Sequence, residues 1–244
     1  MNNFLPKLST KVISGITILA LVCSLAPAQA QVKVKLPPTL GAPGRRVPGG
    51  SRGQNCVARN QRLTALMPKS NLSLTTVSNP TLYFYIPENQ ARQLELVITD
   101  EQEQQVYKQN YKPIGNSGVV GIPLPANTLK KSQTSYRWSF SMICNTEDRS
   151  SDKLVNGAIE RVNNSTVLSK VEKATPQERL SIYAEAGIWQ DLLHTLAKLR
   201  YSDPQDTALK ADWESLLMSQ GIEFDEQLAQ APLAKKENVM QQIN

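Results

Sequence analysis

The stretch that most restricts the fold is Tyr136 to Cys144, where Tyr136, Trp138, Phe140, Met142 and Cys144 occupy every second position. Alternate residues of an extended chain face opposite sides, so this row demands a β-strand lying on a core. The cysteine shares the face of the tryptophan, which suits a disulfide packed against aromatic rings between two sheets. Other segments repeat the pattern. Thr81 to Ile86 puts Leu82, Phe84 and Ile86 on one face and Thr81, Tyr83 and Tyr85 on the other. Leu94 to Thr99 and Gln105 to Tyr111 flank Asp100-Glu101-Gln102-Glu103 as a hairpin. Gly118 to Ile122 is a further short strand, bounded by Pro123 and Pro125, which cannot occupy a central strand. Several short strands with a turn roughly every ten residues predict an immunoglobulin-like antiparallel β-sandwich over residues 55–150.

From Asp152 onward the spacing turns helical, so residues 151–221 are expected to form a small helical segment and the fold class is mixed β and α. Thr175-Pro176-Gln177-Glu178 is a capping box with proline at the first helical position, starting a helix that stops at Gly187. A second helix aligns Trp189, Leu192, Leu193, Leu196 and Leu199. Asp203-Pro204 and Asp206 start a third, which buries Leu209, Trp213, Leu216 and Leu217 and ends near Gly221. Tyr183, Leu192, Leu196, Leu199 and Pro204 have spacings that resemble one tetratricopeptide-like repeat. The same stripe also suits an ordinary amphipathic hairpin docked on the sandwich. Residues 222–244 read as a polar tail.

The first thirty residues read as a cleavable signal peptide. Lys7 and Lys11 precede an apolar run from Val12 to Leu25, Pro27 breaks it, and Ala28-Gln29-Ala30 offers the small residues a signal peptidase requires. The mature chain would start at Gln31 and lie in the periplasm or outside the cell. No later stretch is long and apolar enough to span a membrane. Of 27 basic and 21 acidic side chains, only Lys7 and Lys11 leave with the signal, so the net charge falls from +6 to +4, too weak a bias for a nucleic-acid binder. Cys23 leaves as well. Cys56 and Cys144 remain, and an even pair in an oxidising compartment predicts one disulfide.

Residues 31–54 hold many prolines and glycines and no apolar period, so they read as an extended or flexible arm. Arg45, Arg46 and Arg52 gather there without an acid between them, making them the candidates for holding an anion or a partner. On the helical segment, the candidates for partner contact are Tyr183, Trp189 and Trp213. Chemistry is harder to place. His194 is the only histidine, no nucleophile, metal or cofactor motif accompanies it, and Asp100, Glu101 and Glu103 suit a solvated turn. No catalytic residue, metal or cofactor is predicted.

The order of these features is similar to that of a cyanobacterial family known as domain of unknown function 928. The residues carrying the resemblance are the Gly41 to Gly53 segment before Cys56, the run Asn79 to Pro87, the Tyr136 to Cys144 strand and Tyr183 to Trp189. It extends from roughly Leu40 to Gly221 and implies that the Gly/Arg arm is a family hallmark, but it implies no activity. The expected role is that of an exported, non-catalytic envelope protein that binds another envelope protein or an anionic glycan or lipid surface. Two alternatives are a hydrolase of cell-wall or extracellular polysaccharide, which would need two facing carboxylates, and an accessory factor in secretion or envelope assembly.

Overall fold

The computed structural model describes Met1 and residues 32–38, 41–49, 56–58 and 60–243. The expected signal peptide and Arg52 lie outside the described residues. Among the described residues, nine strands form two sheets: β1 (Thr64–Ala65), β2 (Leu72–Thr75), β3 (Thr81–Ile86), β4 (Gln93–Thr99), β5 (Gln105–Pro113), β6 (Gly118–Pro123), β7 (Thr134–Ile143), β8 (Lys153–Arg161) and β9 (Met240–Ile243). The smaller sheet has the order β1-β3-β6 and the larger β2-β8-β7-β4-β5-β9. Between them lies one apolar core to which Leu82, Phe84 and Ile86 of β3 contribute, together with Leu94, Leu96 and Ile98 of β4 and Trp138, Phe140 and Met142 of β7. Phe84 stacks on Phe140 with ring centres 4.3 Å apart and meets Trp138 edge-on at 5.5 Å. The predicted period-two faces are therefore the buried faces. Cys56 and Cys144 form a disulfide that joins the N-terminal segment to the end of β7.

Two features depart from the sequence reading. The larger sheet is not purely antiparallel, because β2 runs parallel to β8. And the residues after Asp152 do not turn helical at once, because β8 intervenes as an inner strand between β2 and β7. Its alternation is interrupted by Gly157, where a Cβ would come within 2.7 Å of Met67 Cε and 2.9 Å of Trp138 Cζ2. The Gly/Arg arm crosses the same strand, with Arg45 N–H donating to Asn156 O at 2.9 Å and Asn156 N–H donating back at 3.1 Å. The described part of the arm is thus pinned to the sheet at Arg45. Further upstream, Lys35 N–H donates to Ala184 O, while Val32, Val34 and Leu36 pack on the helices.

The helices are α1 (Ser165–Lys173), α2 (Pro176–Ala186), α3 (Trp189–Ser202), α4 (Thr207–Met218) and α5 (Glu226–Ala229). Both halves of the Thr175/Glu178 capping box form, and Gly187 ends α2 at φ +68°. Alanine there would place its Cβ 2.5 Å from Lys35 O, so glycine is required both by backbone conformation and by the passing arm. Asp206 caps α4 by accepting from the N–H groups of Ala208 and Leu209. The first turn of α3 docks the helical layer on the sheets through three successive side chains. Trp189 Nε1 donates to Leu66 O at 3.0 Å and Gln190 Nε2 to Thr81 O. The Asp191 carboxylate accepts from Thr75 Oγ1 at 2.6 Å, Thr76 N at 2.9 Å and Thr76 Oγ1.

The C-terminal residues are not a loose tail. Leu228, Ala229, Val239 and Met240 are buried, Leu233 bridges to Val119 at the edge of the small sheet, and β9 pairs with β5 at the edge of the large one. One segment thus stitches both sheets. Residues Gln31–Asn244 form a single compact unit, to which the arm, the sheets, the helices and this strap all belong.

Candidate functional site

Arg45 and Arg46, the two described arginines of the arm, do not act alike. Arg46 Nη1 donates to Met67 O at 3.1 Å and Ile222 O at 2.6 Å, and its guanidinium carbon lies 4.4 Å from the Phe224 ring centre. Burial lowers its pKa, with Glu223 opposing. This arginine ties the arm to the sheet region and to the end of the helical layer, so it is a structural clamp rather than a free anion ligand. Arg45 is exposed, with its guanidinium folded back beside Gly49. Tyr183, Trp189 and Trp213 are all buried in the helical core, which corrects the expectation that they present a face to a partner.

A different set of residues converges at the other side chains of β3. The face of β3 that turns away from the sheet core carries Thr81, Tyr83 and Tyr85, and Tyr83 with Thr81 floors a cleft of about 370 Å³. Opposite Tyr83 in the sheet register stands Gly121 of β6, where a Cβ would lie 2.8 Å from Thr81 Cγ2 and 2.9 Å from Tyr83 Cε1. Glycine thus lets the phenol lie across the strand. One wall is α3, which presents His194, Lys198 and Tyr201 at i, i+4 and i+7, a single helical stripe. The other wall is the strap, with Lys235, Lys236 and Glu237. Tyr201 fixes that wall by donating its hydroxyl to Ala234 O at 2.8 Å.

The electrostatics are one-sided. Three lysines against Glu237 leave the lining at +2, and no ion pair found among the described residues engages any of the three. Lys236 Nζ also lies 5.7 Å from the Tyr111 ring centre. Tyr83 Oη is 3.0 Å from His194 Nδ1. Burial drives the Tyr83 pKa far up, helped by nearby Tyr201, so the phenol keeps its proton. Burial, then Lys198, pushes the His194 pKa down, so the imidazole is neutral at pH 7. A buried phenol donates its O–H to the acceptor within reach, which is Nδ1, and that assigns the ring proton to Nε2. The cleft then offers three ammonium groups and an imidazole N–H, all donors, above an aromatic floor. Tyr201 is pushed up to about 12 by burial and by Glu237, so it too stays uncharged.

Nothing in this set forms a nucleophile-base pair. His194 is bound to Tyr83, and Asp191, one turn earlier on α3, gives its carboxylate to Thr75 and Thr76. Among the described residues, no group of three or more His, Cys, Asp or Glu side chains could hold a metal ion, and no helix is long and apolar enough to cross a membrane. The sequence alone assigned His194 no role and did not single out Lys198 and Tyr201. Their i, i+4, i+7 spacing was the available signal, whereas Lys235 and Lys236 join them only through the path of the strap.

A family model described as Domain of Unknown Function (DUF928) matches residues 47–233. The match includes β1 to β8 and all the helices, and it stops just before the strap residues Lys235 and Lys236. No curated protein and no solved structure matches the chain.

Proposed function

Since the chain belongs to the DUF928 family, whose description names no activity, we propose a function from its geometry: an exported, non-catalytic envelope protein that binds an anionic group of an envelope component in the lysine-lined cleft. The observation that carries this reading is the gathering of His194, Lys198, Lys235 and Lys236 around one cavity without ion-pair partners for the lysines. Like charges brought together repel one another, and an anion entering the cleft relieves that repulsion while accepting from several donors at once. The disulfide and the leader-like first thirty residues support export. The immunoglobulin-like and tetratricopeptide-like readings enter only as a rigid platform and an adjoining helical layer. The hydrolase alternative needs two facing carboxylates, whereas the lysine cleft has the single acid Glu237.

The test is calorimetric titration with dextran sulfate at low and high salt, using the native protein and a variant carrying Lys198→Gln, Lys235→Gln and Lys236→Gln. The native protein should bind, weaken steeply with salt, and exceed the variant by on the order of tenfold in affinity. Equal binding by a variant of unchanged melting temperature overturns the assignment. Export is checked separately by N-terminal sequencing of the protein recovered from its host, which should start at Gln31.

A further inference from the structure

The outward face of β3 floors a second cleft. Beyond Thr81 and Tyr83, the same row of side chains continues to Tyr85, which lines a cavity of about 340 Å³ together with Phe224, the Asn60-Gln61-Arg62 turn, Asp225 and Gln227. We propose that this cavity is a binding site for a neutral saccharide, separate in ligand and in mechanism from the lysine cleft.

Among the described lining residues Arg62 and Asp225 offset one another, so that lining is neutral where the lysine cleft is +2. An anion entering here would meet Asp225 and a cation would meet Arg62. A purely apolar ligand would strip water from three primary amides without replacing their hydrogen bonds. A ligand that is uncharged and dense in hydroxyls avoids all three penalties. Each hydroxyl both donates and accepts, and the cleft offers both kinds of partner on planar side chains. Asp225 uses Oδ1 to cap α5, accepting from Leu228 N–H at 2.8 Å, which leaves Oδ2 as an acceptor. The side-chain amide oxygen of Gln61 is buried, with no hydrogen-bond partner among the described residues, an unmet acceptor at the edge of the site.

The apolar half of the site fits the same class. Tyr85 is half-buried, and burial raises its pKa, so it presents an uncharged ring with a polar tip. Phe224 is backed by the Arg46 guanidinium, which holds the ring in place. A pyranose has C–H groups on its faces and hydroxyls around its rim, so two fixed rings with amides at the margin match it on both counts. The clamp role of Arg46 thereby gains a purpose: the arm arginine supports a wall of the site rather than contacting the ligand.

The experiment is titration of the full protein with two uncharged oligosaccharides, cellotetraose and chitotetraose, followed by calorimetry and by amide chemical shifts. At least one should bind saturably, with an affinity indifferent to salt and unchanged in the Lys198, Lys235 and Lys236 glutamine variant. Asn60→Gly, which suits the left-handed backbone at that position, with Gln227→Ala, both exposed positions, should weaken it on the order of tenfold at unchanged melting temperature. Tyr85→Phe, which keeps the ring, should retain most of it. Failure of both sugars to bind, loss of binding at high salt, or full binding by the Asn60/Gln227 double variant each overturns the proposal. None of these outcomes bears on dextran sulfate binding, so the two clefts are tested independently.

Discussion

The space between the two sheets and the seam between sheets and helices are held by different chemistry. Between the sheets, Leu, Ile, Phe and Trp side chains interdigitate, and their attraction depends on area more than on direction. At the seam, Trp189, Gln190 and Asp191 each donate to or accept from a particular backbone or hydroxyl group of the sheets. Apolar burial supplies the drive to associate, but it would accept α3 in several rotations. The three directional contacts accept one, and that choice decides where His194, Lys198 and Tyr201 end up. The comparison teaches that the sheets supply stability while the seam supplies the geometry of the cleft.

Removing the disulfide tests the sheet side and should give the largest effect. Cys56 and Cys144 are 88 residues apart, so replacing both by serine should cost about 4 kcal/mol in the chain-entropy account. Thermal unfolding should show a lower midpoint, and hydrogen exchange should quicken throughout both sheets. Asp191→Ala tests the seam. It strands two threonine hydroxyls and one N–H, costing about 3 kcal/mol, with exchange quickening first in α3. Loss of protection confined to the sheets would refute the distinction.

The same aspartate sharpens the comparison through pH. Burial raises its pKa above the ordinary 3.8, outweighing the opposing hydrogen bonds from Thr75 and Thr76. The folded protein therefore holds this proton more tightly than the unfolded chain. The stability it contributes is complete below the ordinary pKa and is lost as pH rises through the folded one. Asp191→Asn cannot ionise, so urea unfolding should show the variant gaining on the native protein as pH rises above the ordinary aspartate range. Arg46→Ala is the smallest of these perturbations, about 2 kcal/mol, because it frees the Met67 and Ile222 carbonyls and uncovers Phe224. An unchanged melting temperature would return Arg46 to the pool of free cations.

Legibility in the sequence followed distance along the chain. Strands β3 to β7 and helices α2 to α4 could be read because their signals are local: alternation, a capping box, a glycine in the left-handed region. β8 was missed because its pattern is broken by Gly157 and half its environment is the crossing arm and the parallel partner β2. β9 was missed because Met-Gln-Gln-Ile becomes a strand only against β5, about 130 residues away. The site residues follow the same rule. Tyr83 and His194 are separated by 111 residues, and Arg46 and Ile222 by 176. No window of sequence contains either pair, whereas the stripe on α3 lies within two helical turns.

The strap that joins both sheet edges has a consequence in time. β9 completes the large sheet by pairing with a strand about 130 residues earlier, and the residues just before it build one wall of the lysine cleft. Parallel pairing of β2 with β8 adds a second closure over more than eighty residues. Non-local pairings of this kind slow folding, because the entropy of closing the loop is lost before any contact repays it. Local pairings such as the β4–β5 hairpin can therefore form well before the strap closes either sheet.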